Sequence, residues 1–197
     1  TVGEYQNILF LEAARIMHYR NPNDVLFVLV SYLPIPSTLG EMKTKPTQYA
    51  VRTMNSYGIH PDIIVARSDR SLDKKRKDKI ALSSNVSAES IISAPDVDSI
   101  YDIPINFERD DLSSTVLKRL KLKPRQTDLQ DWRAMVARQA SAKKKVKIAV
   151  VGKYFKTGEF VLSDVYVSVI ESLKHAATKL GVKAELDWLD SGDYEKN

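Results

Sequence analysis

The strongest constraint on the fold is a series of short apolar runs separated by stretches of helical periodicity. The first run, Val25–Leu33, is nearly continuous, and its length and β-branched content predict a strand buried on both faces, as in a parallel sheet. Two later runs, Asp62–Ala66 and Ser90–Ser93, predict two more strands. Because helical patterns lie between these runs, the chain is predicted to form right-handed β-α-β units of an α/β fold.

Three helices are expected to accompany these strands. Tyr5–Tyr19 has a broad apolar stripe, Thr47–Tyr57 follows a proline, and Ser71–Leu82 is highly charged. Pro46 and Gly58 mark the two ends of the second helix. Proline fits a first helical turn, and glycine tolerates the left-handed conformation that follows a last turn.

A second region follows, with its own strands and helices. Leu112–Leu120 and Leu129–Ala140 predict amphipathic helices. Val146–Val151 predicts a new buried strand, and a helix over Asp164–Lys179 and a strand over Lys183–Leu189 complete a β-α-β unit. Two strands and one helix cannot bury both faces of a parallel sheet, and the sequence opens without a methionine. We therefore expect an internal piece of a longer protein.

The composition excludes several kinds of site. Cysteine is absent, which excludes disulfides, thiolate metal sites and a cysteine nucleophile from these 197 residues. The three histidines lack metal-ligand spacing, and no run of about 18 apolar residues predicts a membrane span. The net charge of +5 suits anionic partners. Much of it lies in Lys74–Lys77 and Lys143–Lys145, each of which is also compatible with a solvated face or a linker.

The run Gly40–Gln48 lies between a predicted strand and a predicted helix. Ligands of open α/β sheets bind at the carboxyl ends of strands, and a helix N-terminus there favours phosphate. The run adds two lysines, two threonines that can donate hydroxyl hydrogen bonds, and a glutamine that can read a base edge or a ribose. It is not a Walker A loop. It is either an anion site, suited to a triphosphate, or an exposed basic loop with ordinary helix capping.

Several runs of the chain resemble the motifs of CTP synthases and occur in the same order. They are Gly40–Gln48, Gly58–Asp62, Arg67–Arg70, Lys79–Leu82, Asp96–Tyr101, Val151–Tyr154 and Ser168–Ala176. Any one of them alone is a weak signal. Because they are spread over almost the whole chain, together they make the resemblance specific.

The resemblance implies part of a P-loop-type, parallel-sheet amidoligase domain over residues 1–110, a helical linker over 111–144, and the first β-α-β unit of a class I glutaminase α/β domain over 145–197. It implies ATP-dependent amination of UTP to CTP with ammonia from glutamine, through UTP phosphorylated on its 4-oxygen. ATP and magnesium are the implied cofactors, GTP is an activator and CTP an inhibitor. The implied form is a cytoplasmic homotetramer, with neither nucleic acid nor a membrane as partner.

The resemblance also assigns nucleotide contacts. UTP or CTP is assigned to Lys43, Thr44, Lys45, Pro46, Thr47, Gln48, Lys79, Glu4, Tyr5 and Gln6. The ATP adenine is assigned to Pro95, Asp96 and Val97. No catalytic residue or metal ligand is expected within this chain. In the family the P-loop and the magnesium carboxylates precede its first residue, and the Cys-His-Glu triad follows its last, so these residues alone are not expected to catalyse the reaction.

Three positions depart from the family pattern. Gln6 stands where a second carboxylate is common, which affects recognition of the inhibitor CTP more than the reaction. Pro95 stands where lysine or arginine is common. The stretch Phe155–Leu162 lengthens a loop that acts as a lid in the family and is linked to GTP activation. The longer loop is therefore expected to alter the dependence on GTP.

Two alternatives remain open at the level of sequence. The chain is compatible with a non-catalytic nucleotide-binding module derived from the same family. It is also compatible with a basic nucleic-acid-binding protein that uses its two Lys/Arg clusters, although no recognisable DNA- or RNA-binding motif flanks them.

Overall fold

The computed structural model describes residues 1–38, 40–125, 128–153, 156–157, 160–161 and 166–194. The chain divides into two compact units, Thr1–Thr127 and Asp128–Asn197. The first contains a parallel sheet of three strands, and the second contains a parallel pair of strands. Within the described ranges, no helix has both the length and the apolar character needed to cross a membrane.

The first unit is built on a three-stranded parallel sheet in the order β1-β2-β3, with β1 at Val28–Tyr32, β2 at Ile63–Ser68 and β3 at Ile91–Pro95. In the central strand, Ile64 pairs with Leu29 on one side and with Ile91 on the other. The prediction of parallel strands at these three positions is confirmed. The first strand is shorter than the apolar run that predicted it.

Helices of the first unit occur close to the predicted places. They are α1 (Ile8–Arg20, after a 3₁₀ turn at Tyr5–Asn7), α2 (Lys45–Ser56), α3 (Lys74–Ser84), α4 (Ile103–Arg109) and α5 (Leu112–Arg119). Pro46 lies in the first turn of α2, and Gly58 follows its end with φ of 72°, as predicted. The sequence pattern gives no prediction of α4, because seven residues are too few for a helical period to stand out.

Asp73 fixes the start of α3. Its carboxylate accepts a hydrogen bond from the backbone N–H of Arg76 (2.8 Å), which is the bond of an N-cap residue. The helix therefore begins at Lys74 rather than at the predicted Ser71. The exact start depends on which polar side chain turns back onto the first helical turn.

Asp73→Ala is expected to loosen the first turn of α3, since it removes the capping acceptor. The hydrogen bond from Arg76 lowers the pKa of the Asp73 carboxyl. The carboxylate cap is therefore fully formed at neutral pH and is lost as pH falls through that lowered pKa. Hydrogen exchange at amides 74–77 should accelerate about fivefold in Asp73→Ala and stay near wild type in Asp73→Asn, which keeps an acceptor. Equal exchange in wild type and the alanine variant would contradict this role.

Two apolar clusters hold the sheet of the first unit, one on each face. The first lies between the sheet and helices α2 and α3, and its members include Leu29, Ile64, Ile91, Val51 and Ile80. The second lies against helices α4 and α5, and its members include Ile63, Val65, Ile92, Phe107, Leu112 and Val116. Successive residues of β2 thus enter opposite clusters, as the two-residue period of a strand requires.

The prediction that the first strand is buried on both faces is wrong for the described residues. Leu29 is 6% exposed, but Val28, Val30 and Tyr32 are 44%, 61% and 50% exposed. β1 is an edge strand, and helices α4 and α5 pack against β2 and β3 on that face rather than against β1. An apolar run favours burial of a strand, but each face is buried only where another element packs against it.

The second unit contains the predicted β-α-β unit. Strand β4 (Lys145–Gly152) pairs in parallel with β7 (Lys183–Asp190), and helix α7 (Val167–Leu180) connects them. Along the chain, β4 is followed by two short antiparallel strands, β5 (Lys156–Thr157) and β6 (Phe160–Val161), which come before α7. The start predicted for α7 at Asp164 lies outside the described residues, as does half of the long loop predicted over 155–162.

The segment 111–144, predicted as a helical linker, contains two helices that belong to different units. Helix α5 packs through Leu112 and Val116 against the sheet of the first unit. Helix α6 (Gln130–Ser141) belongs to the second unit, where it contacts α7. The boundary between the units therefore falls between these two helices, inside the predicted linker.

Candidate functional site

The loop from β1 to α2 folds back onto the carboxyl end of the sheet. The backbone N–H of Lys43 donates to the carbonyl of Pro34 (2.9 Å), and that of Leu33 donates to the carbonyl of Arg67 on β2 (2.7 Å). Gly40 takes a φ of 60°, which glycine adopts without steric cost. These contacts place Lys43 beside the strand ends, where ligands of parallel α/β sheets bind.

Two residues predicted as hydroxyl donors to a ligand are buried and bonded within the protein. Thr47 is 0% exposed, and its hydroxyl group hydrogen bonds to that of Ser31 on β1 (2.8 Å). Thr44 is 4% exposed, and its hydroxyl oxygen accepts a hydrogen bond from the side-chain amide of Gln48 (3.2 Å). The bond of Thr47 fixes the first turn of α2 to the sheet, and that of Thr44 lies within the start of α2. A ligand would reach Gln48 more readily than either hydroxyl group, because Gln48 is only half-buried.

The N-terminus of α2 carries Lys45 and Pro46, both exposed. The side chain of Thr44 makes no capping hydrogen bond to this turn. Unpaired N–H groups in a first turn give a helix N-terminus its partial positive charge, and the ammonium group of Lys45 adds a full charge. The turn therefore has the electrostatics of an anion-binding helix end, in addition to the loop contacts described above.

Glu41 and three basic side chains form a charged cluster over this loop. The Nζ atom of Lys43 lies 2.7 Å from Oε2 of Glu41. This hydrogen bond, together with the positive charges of Lys43, Arg76 and Lys79, lowers the pKa of the Glu41 carboxyl. Arg76 and Lys79 belong to α3, and their effect on the Glu41 carboxyl is smaller than that of its direct partner Lys43. The guanidinium group of Arg76 itself pairs with Asp73.

Residues at the end of β2 and shortly after it hold the loop in place, and the prediction of ligand contacts omitted them. The hydroxyl group of Ser68 is buried and donates to the carbonyl of Leu33 (2.9 Å). The guanidinium group of Arg70 donates to the carbonyl of Gly40. Both residues lie in the run Arg67–Arg70, whose position at a strand end is the sequence signal that marks them as candidates.

The predicted ATP residues lie at the carboxyl end of β3. Pro95 pairs with Ser68, and the N–H of Asp96 donates to the carbonyl of Ser68 (2.9 Å). A carboxylate oxygen of Asp96 lies 3.4 Å from the guanidinium group of Arg67. Beside them, the hydroxyl group of Tyr32 donates to Asp69 (2.9 Å), and this hydrogen bond raises the pKa of Tyr32. Ion pairs and hydrogen bonds thus link the ends of all three strands of this sheet.

Pro95 also lines a small cavity of about 140 Å³. Its other lining residues are Ser71, Leu72, Ser93, Asn106, Arg109 and Asp110. The carboxylate of Asp110 accepts a hydrogen bond from the N–H of Ser93 (2.6 Å) and pairs with Nζ of Lys77 (2.8 Å). The amide of Asn106 and the guanidinium group of Arg109 therefore line the same cavity as the predicted adenine contact Pro95. The N–H group of Ser93 on β3 is already bonded to Asp110.

The predicted N-terminal contacts, Glu4, Tyr5 and Gln6, lie away from the basic loop within this chain. Tyr5 and Gln6 lie in the 3₁₀ turn that Glu4 precedes, and the amide of Gln6 donates to the hydroxyl oxygen of Tyr5 (3.4 Å). A Cβ atom at Gly3 would lie 3.8 Å from Cγ2 of Thr53, in the last turns of α2. Thr53 is separated from the first turn of α2 by about 12 Å of helix. Within this chain the N-terminal turn therefore lies near the end of α2 that is farther from Lys45.

No cluster of three or more His, Cys, Asp or Glu side chains that could hold a metal ion occurs in the part of the chain that the structure describes. The acidic residues near the strand ends are instead engaged with basic or hydroxyl groups. Asp69 accepts from Tyr32, Asp96 pairs with Arg67, and Glu41 pairs with Lys43. The acidic side chains at this edge of the sheet are therefore paired within the protein.

Comparison with known proteins relates the chain to one family. The family model described as CTP synthase N-terminus matches residues 1–122. A CTP synthase from Pyrococcus furiosus is 45% identical over 196 residues, which are 99% of this chain and 36% of that protein. CTP synthases from Pyrococcus abyssi and a Picosynechococcus species are 43% and 40% identical, over 100% of this chain and 36% and 35% of their own lengths. The chain thus spans about 36% of the length of these relatives.

Proposed function

Because this chain belongs to the CTP synthase family, we propose that it forms the pyrimidine-nucleotide part of an enzyme that converts UTP to CTP. The amination uses ATP, and its ammonia comes from glutamine. In this proposal residues 1–110 are the end of the amidoligase domain, 111–144 the linker, and 145–197 the start of the glutaminase domain. The boundary between the compact units falls inside the proposed linker.

One observation carries the proposal: cationic side chains from two separate segments converge on one loop. Lys43 lies on the loop itself and pairs with Glu41. Lys79 lies on α3, close enough for its charge to add to the lowering of the pKa of the Glu41 carboxyl. Lysines from two segments beside a helix N-terminus suit a multiply charged ligand such as a triphosphate. Lysine is a compact, mobile point charge and can follow phosphate oxygens as they move.

The residues of the chain bind and orient the pyrimidine nucleotide. Lys43, Lys45 and Lys79 hold the triphosphate, and the side-chain amide of Gln48 reads the base or the ribose. Thr44 and Thr47 support these contacts from within, because their hydroxyl groups anchor the first turn of α2. Pro46 sets the direction of that turn through its fixed φ angle. Glu4, Tyr5 and Gln6 are proposed to recognise the base of CTP when it acts as an inhibitor.

ATP is proposed to contact Pro95, Asp96 and Val97. The ends of β1 and β3 are separated by two strand spacings, which is about 10 Å, so the proposed UTP and ATP contacts lie at the same edge of the sheet. In the proposed reaction, ATP transfers its terminal phosphoryl group to the 4-oxygen of UTP. Ammonia then attacks C4 of the uracil ring, which bears the phosphorylated oxygen, and displaces phosphate. The contribution of this chain is to orient the nucleotides for these steps.

Other parts of the proposal follow from the family and concern the whole enzyme. They are inhibition by CTP, activation by GTP, a homotetramer and a cytoplasmic location. Magnesium has no fitting set of three or more ligands among the described residues, so no step through it is assigned to this chain. Of the loop proposed as the GTP-linked lid, only 156–157 and 160–161 are described.

The direct experiment is a measurement of UTP binding and of CTP formation by the full-length protein. Isothermal titration calorimetry should show UTP binding, and CTP should accumulate from UTP, ATP and ammonium in the presence of magnesium. A nucleic-acid-binding protein would instead bind DNA or RNA with an affinity that collapses as salt rises. Absence of UTP binding together with absence of CTP formation would contradict the proposed function. UTP binding without CTP formation would favour a non-catalytic nucleotide-binding module.

Arg70→Ala is expected to weaken UTP binding about fivefold to tenfold, because it removes a charged donor from the loop carbonyl of Gly40. The loop should also become more mobile, so hydrogen exchange at amides 40–43 should accelerate. Arg70→Lys keeps a cationic donor and should lie between the alanine variant and wild type. Unchanged UTP affinity and unchanged exchange in Arg70→Ala would show that this contact does not position the loop.

A further inference from the structure

Glu41 is the acidic member of the charged cluster in the proposed nucleotide site. Its carboxylate lies 2.7 Å from Nζ of Lys43, within reach of the positive charges of Arg76 and Lys79. The side chain of Glu41 is 59% exposed and that of Lys43 37% exposed, so the pair faces solvent, where a ligand would arrive. A carboxylate is thus already paired with Lys43 on the solvent-facing side of the loop.

The contacts that hold the loop do not involve the Glu41 carboxylate. Met42 is buried in the core, the N–H of Lys43 donates to the carbonyl of Pro34, and Arg70 donates to the carbonyl of Gly40. An exposed ion pair between residues two positions apart adds little to stability by comparison. The charge of Glu41 therefore acts mainly on the neighbouring cations and on anions that approach them.

We infer that Glu41 is an internal counter-ion of the nucleotide site, which holds Lys43 and competes with the ligand's phosphates for it. The inference rests on the proposed function, because it requires that Lys43 and Lys79 bind the triphosphate. When a phosphate group approaches, the pair between Glu41 and Lys43 must open, and the carboxylate then repels the bound anion. Glu41 thereby limits triphosphate affinity and sets how strongly the site distinguishes ligands by phosphate charge.

The size of this repulsion follows from Coulomb's law. Two like charges about 6 Å apart in water weaken binding by about threefold, before screening by salt. A triphosphate places more charge near Glu41 than a monophosphate does. Removal of the Glu41 charge should therefore strengthen UTP binding by about three- to tenfold and UMP binding by less than about twofold. The gain should shrink at high salt, because exposed charges are screened there.

The experiment compares Glu41→Gln with wild type in the full-length protein. Calorimetric titrations with UTP, UDP and UMP at low and high salt should show a gain that increases with phosphate number and falls with salt. Glu41→Asp keeps the charge and should stay near wild type. Glu12→Gln is the matched control, because Glu12 is also an exposed acid, paired with Arg15 at 2.7 Å on α1. It should leave all three affinities unchanged.

Three results would overturn the role of Glu41. They are unchanged UTP affinity in Glu41→Gln, a weaker affinity, or an equal gain for UTP and UMP. A marked fall in melting temperature, or failure of Glu41→Gln to fold, would also overturn it, since it would make Glu41 a structural residue. Failure of the proposed function looks different, because wild type would then bind no UTP. If Lys43→Ala loses UTP binding while Glu41→Gln matches wild type, only the inference about Glu41 fails.

Discussion

Replacement of Lys43 or Lys79 by alanine should lower the affinity for UTP by about 10- to 100-fold, because each substitution removes a charge-assisted contact to phosphate. We expect the larger loss for Lys43→Ala. That substitution also leaves the Glu41 carboxylate without its partner at 2.7 Å, where it repels the incoming triphosphate. The double variant should lose less than the product of the two single losses, since both lysines contact one ligand.

The measurement is calorimetric titration of UTP and CTP into the full-length protein. Lys118→Ala is the matched control: it changes the net charge equally, and Lys118 lies on α5, which packs on the opposite face of the sheet from α2 and α3. It should bind UTP as wild type does. Wild-type affinity in both single variants would remove the basis for placing the nucleotide at this loop.

Ile64→Ala should destabilise the first unit by about 2–5 kcal/mol, the usual cost of truncating a buried isoleucine to alanine. Ile64 is 0% exposed, lies in the central strand β2, and belongs to the cluster beneath α2 and α3. The cavity would lie directly under α2 and α3, which carry Lys45 and Lys79. UTP affinity should therefore fall as well, through looser positioning of α2 and α3 rather than through a lost contact.

Hydrogen exchange read out on separate peptides of the full-length protein can test this, because local stability varies across a chain. Amides of β2 and β3 should lose protection in Ile64→Ala, whereas those of β4 and β7 in the second unit should not change. Ile64→Val should cost about 0.5–1.5 kcal/mol. Leu82→Ala removes a side chain that is 88% exposed on α3 and should have little effect. Unaltered protection in Ile64→Ala would contradict the packing described for this core.

Much of the local structure could be predicted because its causes are local. Apolar runs gave the positions of β2 and β3, and Pro46 and Gly58 gave the ends of α2, since each residue type restricts its own backbone angles. The parallel pairing also follows, because helices between successive strands leave no other short connection. The basic loop at the end of β1 could likewise be identified as a candidate anion site from its charges and its place before a helix.

The roles of individual side chains at that loop required the tertiary structure. Thr44 and Thr47 have the composition of ligand donors, but the fold buries both, and their hydroxyl groups bond to Gln48 and Ser31 instead. Whether a hydroxyl group faces a ligand or the core depends on the rotation of α2 over the sheet. That rotation is fixed by packing between segments far apart in sequence, which no local pattern records.

The sequence by itself determined an α/β chain with parallel strands and a basic loop placed before a helix. It did so because periodicity, backbone restriction and formal charge are properties of neighbouring residues. Only the tertiary structure decided that Arg70 holds the loop, that Ser68 bonds to the carbonyl of Leu33, and that β1 has an open face. These features depend on distances between segments separated by long stretches of chain, and such distances exist only after helices and strands have packed.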